Sequence, residues 1–208
     1  WTPGNTDGEP VVTTSPKTDT LLGLAASQTV GPFFQIGFEA LYQNDLTVPG
    51  LKGRLVTIRG QVFDSDKLPV PDAVLEIWQA NSFGKYAHPE DQQDKPLDLG
   101  FTGFGRCPTD AEGRFGFRTV KPGRVPASTE TPQAPHINVS IFMRGLLDRL
   151  VTRIYFIDED SNRTDEILNL IDPARRPTLL ARSIPSESSA YLWNIVLRGH
   201  DETVFLDF

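Results

Sequence analysis

The stretch His136-Ile-Asn-Val-Ser-Ile-Phe-Met-Arg144 decides the fold class. Ile137, Val139, Ile141 and Met143 fall on one side of an extended chain, and His136, Asn138, Ser140, Phe142 and Arg144 on the other. A period of two belongs to a β-strand with one face against a core. Working outward, Arg54–Phe63 sets Val56, Ile58 and Val62 together, and Ala73–Gln79 does the same with Ala73, Leu75 and Ile77. Arg114–Val120, Leu150–Ile157, Tyr191–Arg198 and a closing Thr203–Asp207 read as further strands. Turn signals such as Asp110-Ala-Glu-Gly113 and Lys121-Pro-Gly123 separate them. Helix is minor: Thr164 is expected to cap Asp165–Leu170, and Asp172-Pro173 to start a second short helix or turn. The expected architecture is all-β, a two-sheet β-sandwich with long loops.

Residues 1–20 are Thr, Pro, Gly, Asp and Glu with little to bury, and are expected to form an extended N-terminal arm. Residues 21–208, entered through the apolar Leu21–Ala26, then form a single domain. Asn81–Gly105 is a loop without period, long enough to suggest a functional or clamped segment. The chain carries 27 acidic and 20 basic residues, a net charge of −7. With no Lys/Arg stripe, that balance argues against nucleic-acid binding. No apolar run approaches the roughly 18–20 residues of a membrane span. The single cysteine, Cys107, excludes an internal disulfide and a CxxC-type zinc site. The opening residues lack a basic n-region and an apolar h-region, so no signal peptide is expected. Met143 is the one methionine, so the start reads as processed or trimmed, and a cytoplasmic location is the expectation.

Motifs with chemistry are sparse. His88, His136 and His200 stand far apart, with no HxH or HExxH pair. No Gly-x-Ser-x-Gly elbow is present, and Gly103-Phe-Gly105 is too isolated to read as a phosphate loop. Arg106 could activate Cys107, although a buried inert thiol is the plainer reading. Asp158-Glu159-Asp160 reads as a solvated charged turn. The residues alone therefore supply no complete catalytic set.

Longer segments carry more. Gly60-Gln-Val-Phe-Asp64, Pro69-Val-Pro71, Glu76-Ile-Trp-Gln-Ala-Asn81, Gly84-Lys-Tyr86, Gly105-Arg106, Thr109-Asp110, Gly113-Arg-Phe115, Arg118-Thr-Val-Lys-Pro-Gly123 and Ala134-Pro-His-Ile-Asn138 resemble, in order and spacing, the intradiol ring-cleavage dioxygenases. The Ser27-Gln-Thr-x-Gly-Pro32 start and the Glu202–Phe208 end are similar to the iron-free chain of the family's two-chain members. The match covers roughly residues 25–208, far more than a short motif.

The resemblance implies a sandwich whose active members hold one ferric ion between two tyrosines and two histidines. The four corresponding positions here are Tyr86, Val125, His136 and Asn138. An arginine that the family carries three residues before the histidine pair is Gln133 in this chain. Valine offers no lone pair, and an amide is a poor substitute for imidazole at ferric iron. The site is thus expected to be vestigial, with no catalytic residue and no metal in this chain. Fe(III) would be held by a homologous partner chain in a higher hetero-oligomer acting on a dihydroxybenzoate and O2. Thr29, Gly31, Pro32 and Arg144 are the expected substrate-binding residues, with Arg144 placed by the strand alternation toward the old site or its rim. A self-sufficient intradiol dioxygenase and a non-enzymatic sandwich module are the competing expectations.

Overall fold

A computed structural model describes residues 26–31, 33–128 and 130–207. The arm expected over 1–20, residues 21–25 and Pro32 lie outside these. Nine strands are present among the described residues: β1 (Leu55–Phe63), β2 (Val74–Trp78), β3 (Phe104–Pro108), β4 (Arg114–Val120), β5 (His136–Phe142), β6 (Leu150–Phe156), β7 (Leu180–Ser183), β8 (Ala190–Leu192) and β9 (Ile195–Val196). Two five-residue helices, α1 (Phe33–Gly37) and α2 (Glu166–Leu170), and three short 3-10 turns accompany them. No helix among the described residues is long and apolar enough to cross a membrane.

The strand order is β3-β2-β5-β6-β7-β8-β1-β4, with β9 beside β1. β7 is the corner: it runs parallel to β6 on one side and antiparallel to β8 on the other. The strands before and after it fold into two layers of a sandwich, and their inner faces make one core. Val56, Ile58, Val62, Phe115 and Phe117 from one layer are buried with Leu75, Ile77, Ile137, Val139, Ile141 and Ile154 from the other. Removing such a side chain from water is worth about 2 kcal/mol, so the period-two stripes of β1, β2, β4 and β5 dictate which face turns inward. β6 shows no alternation because it is covered twice. Ile154 and Phe156 join the main core, whereas Tyr155 packs with Ala134, Leu168, Leu179 and Val204 in a smaller second cluster.

Asp165 holds that second cluster to the sheet. Its fully buried carboxylate accepts hydrogen bonds from Leu168 N (2.8 Å), Ala134 N (2.7 Å) and the Tyr155 hydroxyl (3.0 Å). Asp165, not Thr164, is therefore the N-cap of α2, because its carboxylate satisfies two other buried donors as well. Thr164 instead closes the preceding 3-10 turn onto Ser161 O.

Other expectations also change. The strand expected over Tyr191–Arg198 is two short strands, because the Asn194 side chain, rather than backbone, accepts the Gln61 N–H there. Gly60 allows this close approach: a Cβ on it would lie 1.8 Å from Trp193 O. Thr203–Asp207 is not a strand and is tied instead by single bonds from Thr203 N to Val196 O and from Leu206 N to Val151 O. β3 begins inside the loop expected over Asn81–Gly105, and β7 was not foreseen. The rest of that loop is clamped, as its length suggested. The buried Asn81 amide accepts from Phe83 N and Lys85 N and donates to Pro96 O and Asp98. The Asp158-Glu159-Asp160 turn is more than solvated charge: Lys121 grips Asp158 (3.1 Å) and Glu159 (2.7 Å).

Truncating Asp165 would orphan three donors at once. We expect Asp165→Ala to lose about 3 kcal/mol of stability, read from denaturant midpoints. A loss below ~1 kcal/mol would contradict this role.

Candidate functional site

Register sets the outer face of the β2–β5–β6 layer. Trp78 pairs with Asn138, and Asn138 with Arg153, so three strands place these side chains in a row. One step along, His136 lies opposite Tyr155. Above the row, the clamped loop brings in Tyr86 and His88, and a small hairpin brings in Val125 and Gln133, paired through Gln133 N to Val125 O at 2.9 Å. Together they line an open cavity of about 720 Å³. Tyr86 and His88 sit against the Trp78 ring at 5.7 and 5.6 Å between centroids.

All four positions that the family uses for its metal, Tyr86, Val125, His136 and Asn138, line this one cavity. His136 is buried, and its Nδ1 lies 2.8 Å from Ala134 O. A carbonyl only accepts, so Nδ1 carries the proton in the neutral ring and Nε2 keeps the lone pair. Burial, and then the charge of Arg153, lower the His136 pKa to about 4. Burial raises the Tyr86 phenol above its ordinary value, against the opposing effects of Arg153 and a hydrogen bond from Asn138.

Sequence reading missed Arg153. Its guanidinium donates to Asn138 Oδ1 (3.0 Å), to Gln133 Oε1 (2.9 Å) and to the Tyr155 hydroxyl (3.4 Å). The available signal was a charged residue inside the apolar run Leu150–Ile157. Non-haem iron is the family's cofactor, and the residues present do not fit it. Val125 supplies no donor atom, the Asn138 oxygen is taken by a cation, and only Tyr86 and His136 remain as ordinary ligands. At an effective dielectric near 20, a trivalent ion about 5 Å from a guanidinium is repelled by about 10 kcal/mol. Among the described residues, no group of three or more His, Cys, Asp and Glu side chains could hold a metal elsewhere.

The expected substrate-binding residues do not join this cavity. Thr29 and Arg144 meet beyond the opposite end of β5, where Gly145 N donates to Thr29 Oγ1 at 2.7 Å and Arg144 is ion-paired with Asp72. Gly31 is exposed nearby and accepts from Phe34 N, and Pro32 lies outside the described residues. The expectation that Arg144 points to the rim of the old site is corrected. Pairing of β5 stops at Phe142, and the strand between His136 and that residue spans roughly 20 Å. His200 is solvated beside Asp201, and Cys107 is buried, with its thiol pKa raised by that burial. Gly103 serves packing: at φ 72° it lets Gln79 O approach, with no phosphate-loop geometry.

The state of His136 gives a pH dependence. Its folded pKa lies below the ordinary 6.5, so only the unfolded chain takes up this proton between those two values. The contribution is complete above about pH 6.5 and is lost as the pH falls to about 4, a change of about 3 kcal/mol. We expect His136→Gln to flatten stability against pH across that window, measured by denaturant melts. Parallel wild-type and variant curves would contradict it.

Known proteins agree with this geometry. A sequence profile described as Dioxygenase matches residues 31–199. The protocatechuate 3,4-dioxygenase alpha chain of Burkholderia cepacia is 41% identical over 202 residues, covering 90% of this chain and 99% of that protein. The beta chain from the same organism is 39% identical over 173 residues, covering 77% and 73%. Among solved structures, the dioxygenase domain of a dioxygenase carbohydrate-binding protein fusion from Streptomyces sp. SirexAA-E superposes with a TM-score of 0.57 at 27% identity, covering 78% and 89%. Sandwich, profile and full-length identity converge: the chain belongs to the intradiol ring-cleavage dioxygenase family.

Proposed function

We propose that this chain is the alpha subunit of a protocatechuate 3,4-dioxygenase. The enzyme opens the ring of protocatechuate between its two hydroxyls with O2, giving 3-carboxy-cis,cis-muconate. In this reading a homologous beta chain holds Fe(III), and this chain supplies assembly surface and part of the substrate pocket in a cytoplasmic hetero-oligomer of alpha–beta pairs. One observation carries the reading. The chain matches an alpha chain over nearly its whole length, yet its own cavity presents Val125 and an Arg153-bound Asn138 where ligands are needed. A family member that keeps the fold without the donor set suits a subunit whose partner brings the metal.

The position of Arg144 supports a role across the subunit boundary. Its side chain is 60% exposed, and Asp72 steadies it in one orientation. Thr29 is tied to the next residue, Gly145, so the Thr29–Gly31 segment and Arg144 form one surface unit. This surface lies away from the chain's own cavity, so it is available to complete a neighbour's pocket. A guanidinium fork there suits the carboxylate of protocatechuate, with Gly31 nearby, and Pro32 is proposed as a further substrate-binding residue.

Oxygen uptake with protocatechuate tests the proposal. The chain alone should show none, and the chain co-expressed with a beta chain should be active. In that assembly Arg144→Ala should raise KM by at least about tenfold, the loss expected for one charge-assisted carboxylate contact. An unchanged KM would remove Arg144 from the pocket. Full activity of the lone chain would instead make it a self-sufficient dioxygenase, and an inactive co-expressed pair would favour a non-enzymatic module.

A further inference from the structure

The cation in the middle of the cavity carries an inference of its own. Arg153 is buried on a strand covered on both faces, a placement that needs strong compensation. The compensation comes from the positions where the family binds metal and from their neighbours. Nε holds Asn138 Oδ1, a nitrogen of the fork holds Gln133 Oε1, and the Tyr155 hydroxyl in turn donates to Asp165. Tyr86 lines the same cavity as Asn138 and Arg153. A positive centre therefore organises the Asn138 position, Gln133 and the strand that bears His136, as a metal ion would. The geometry also ties two changes together. Gln133 stands where the resemblance places an arginine, and the guanidinium that bonds to it comes from β6 instead, landing on the Asn138 position itself.

We propose that Arg153 takes the structural place of the metal in this chain, so that restoring both missing ligands does not restore an iron site while Arg153 remains. The claim concerns this chain's own cavity and does not depend on its being an alpha subunit. It makes loss of metal binding a three-residue property, in which Val125 and Asn138 remove donors and Arg153 supplies a competing charge.

The test uses the full chain, prepared alone, with iron as the probe. Four forms are compared: wild type, Val125→Tyr with Asn138→His, Arg153→Gln, and all three substitutions together. Bound iron per chain and the visible tyrosinate-to-iron band are the readouts. The first three forms are expected to hold less than ~0.1 iron per chain, and the triple variant about one, with colour. Putting Arg153→Lys in place of Arg153→Gln in the triple background should leave the chain empty, because the charge is kept. Loading of the double variant to the level of the triple would overturn the proposal, and so would a folded triple variant that stays empty. Where the triple does not fold, loading of the double variant alone still overturns the proposal.

A second measurement needs no metal. Arg153→Gln in the otherwise native chain should lower the melting temperature by about 5–10 °C, with partial recovery in Arg153→Lys. An unchanged melting temperature would remove the organising role. Iron in the wild-type chain would contradict the alpha-subunit reading separately, because that arm contains no substitution.

Discussion

The pairing of β5 with β6 sets Asn138 against Arg153 and His136 against Tyr155, and a buried polar face of this kind has to be satisfied group by group. The Arg153 guanidinium bridges Asn138 and Gln133, Tyr155 passes a hydrogen bond to Asp165, and Asp165 fixes both Ala134 at the entry to β5 and the first turn of α2. The cavity floor, the hairpin carrying Val125 and the second hydrophobic cluster all hang on that chain of contacts. In the proposed account a ferric ion has no place in it, because the network already contains its own cation.

The sandwich thus separates two regions that a metal-bearing relative would be expected to use differently. One is the cavity on the outer face of the β2–β5–β6 layer, where aromatic walls and a neutral histidine surround Arg153. The other is the exposed far end of β5, where Thr29 is tied to Gly145 and Arg144 to Asp72, the surface proposed to work against another chain. The similarity of the alpha and beta chains to this one and to the same family supports descent from a common sandwich. In the proposed assembly one copy keeps the chemistry and the other keeps the surface.

Much of the architecture is legible in the sequence because inward faces need alternating apolar residues. β4 coincides with Arg114–Val120 as read, and β1, β2 and β5 differ from their expected spans by one or two residues. Alternation fails where other forces dominate. β6 is buried on both sides, so Arg153 passed as part of a core strand. The alternation of Phe142, Met143 and Arg144 continues beyond the last paired residue, which misdirected Arg144 toward the old site. Thr164 and Asp165 both satisfy the local rule for a helix cap, and only the distant Ala134 and Tyr155 distinguish them. The convergence of Tyr86, Val125, His136 and Asn138 came from family resemblance alone, because they sit on three separate segments that no period connects.

The central claim is that this chain's cavity is not an iron site and that its partner supplies the metal. The most direct measurement is iron content with a visible spectrum, taken on the wild-type chain alone and on the same chain co-purified with a beta chain. The account predicts a colourless, iron-free chain and a red-brown complex with one iron per alpha–beta pair. Stoichiometric iron with tyrosinate colour in the lone chain would contradict it and make this polypeptide itself the catalyst.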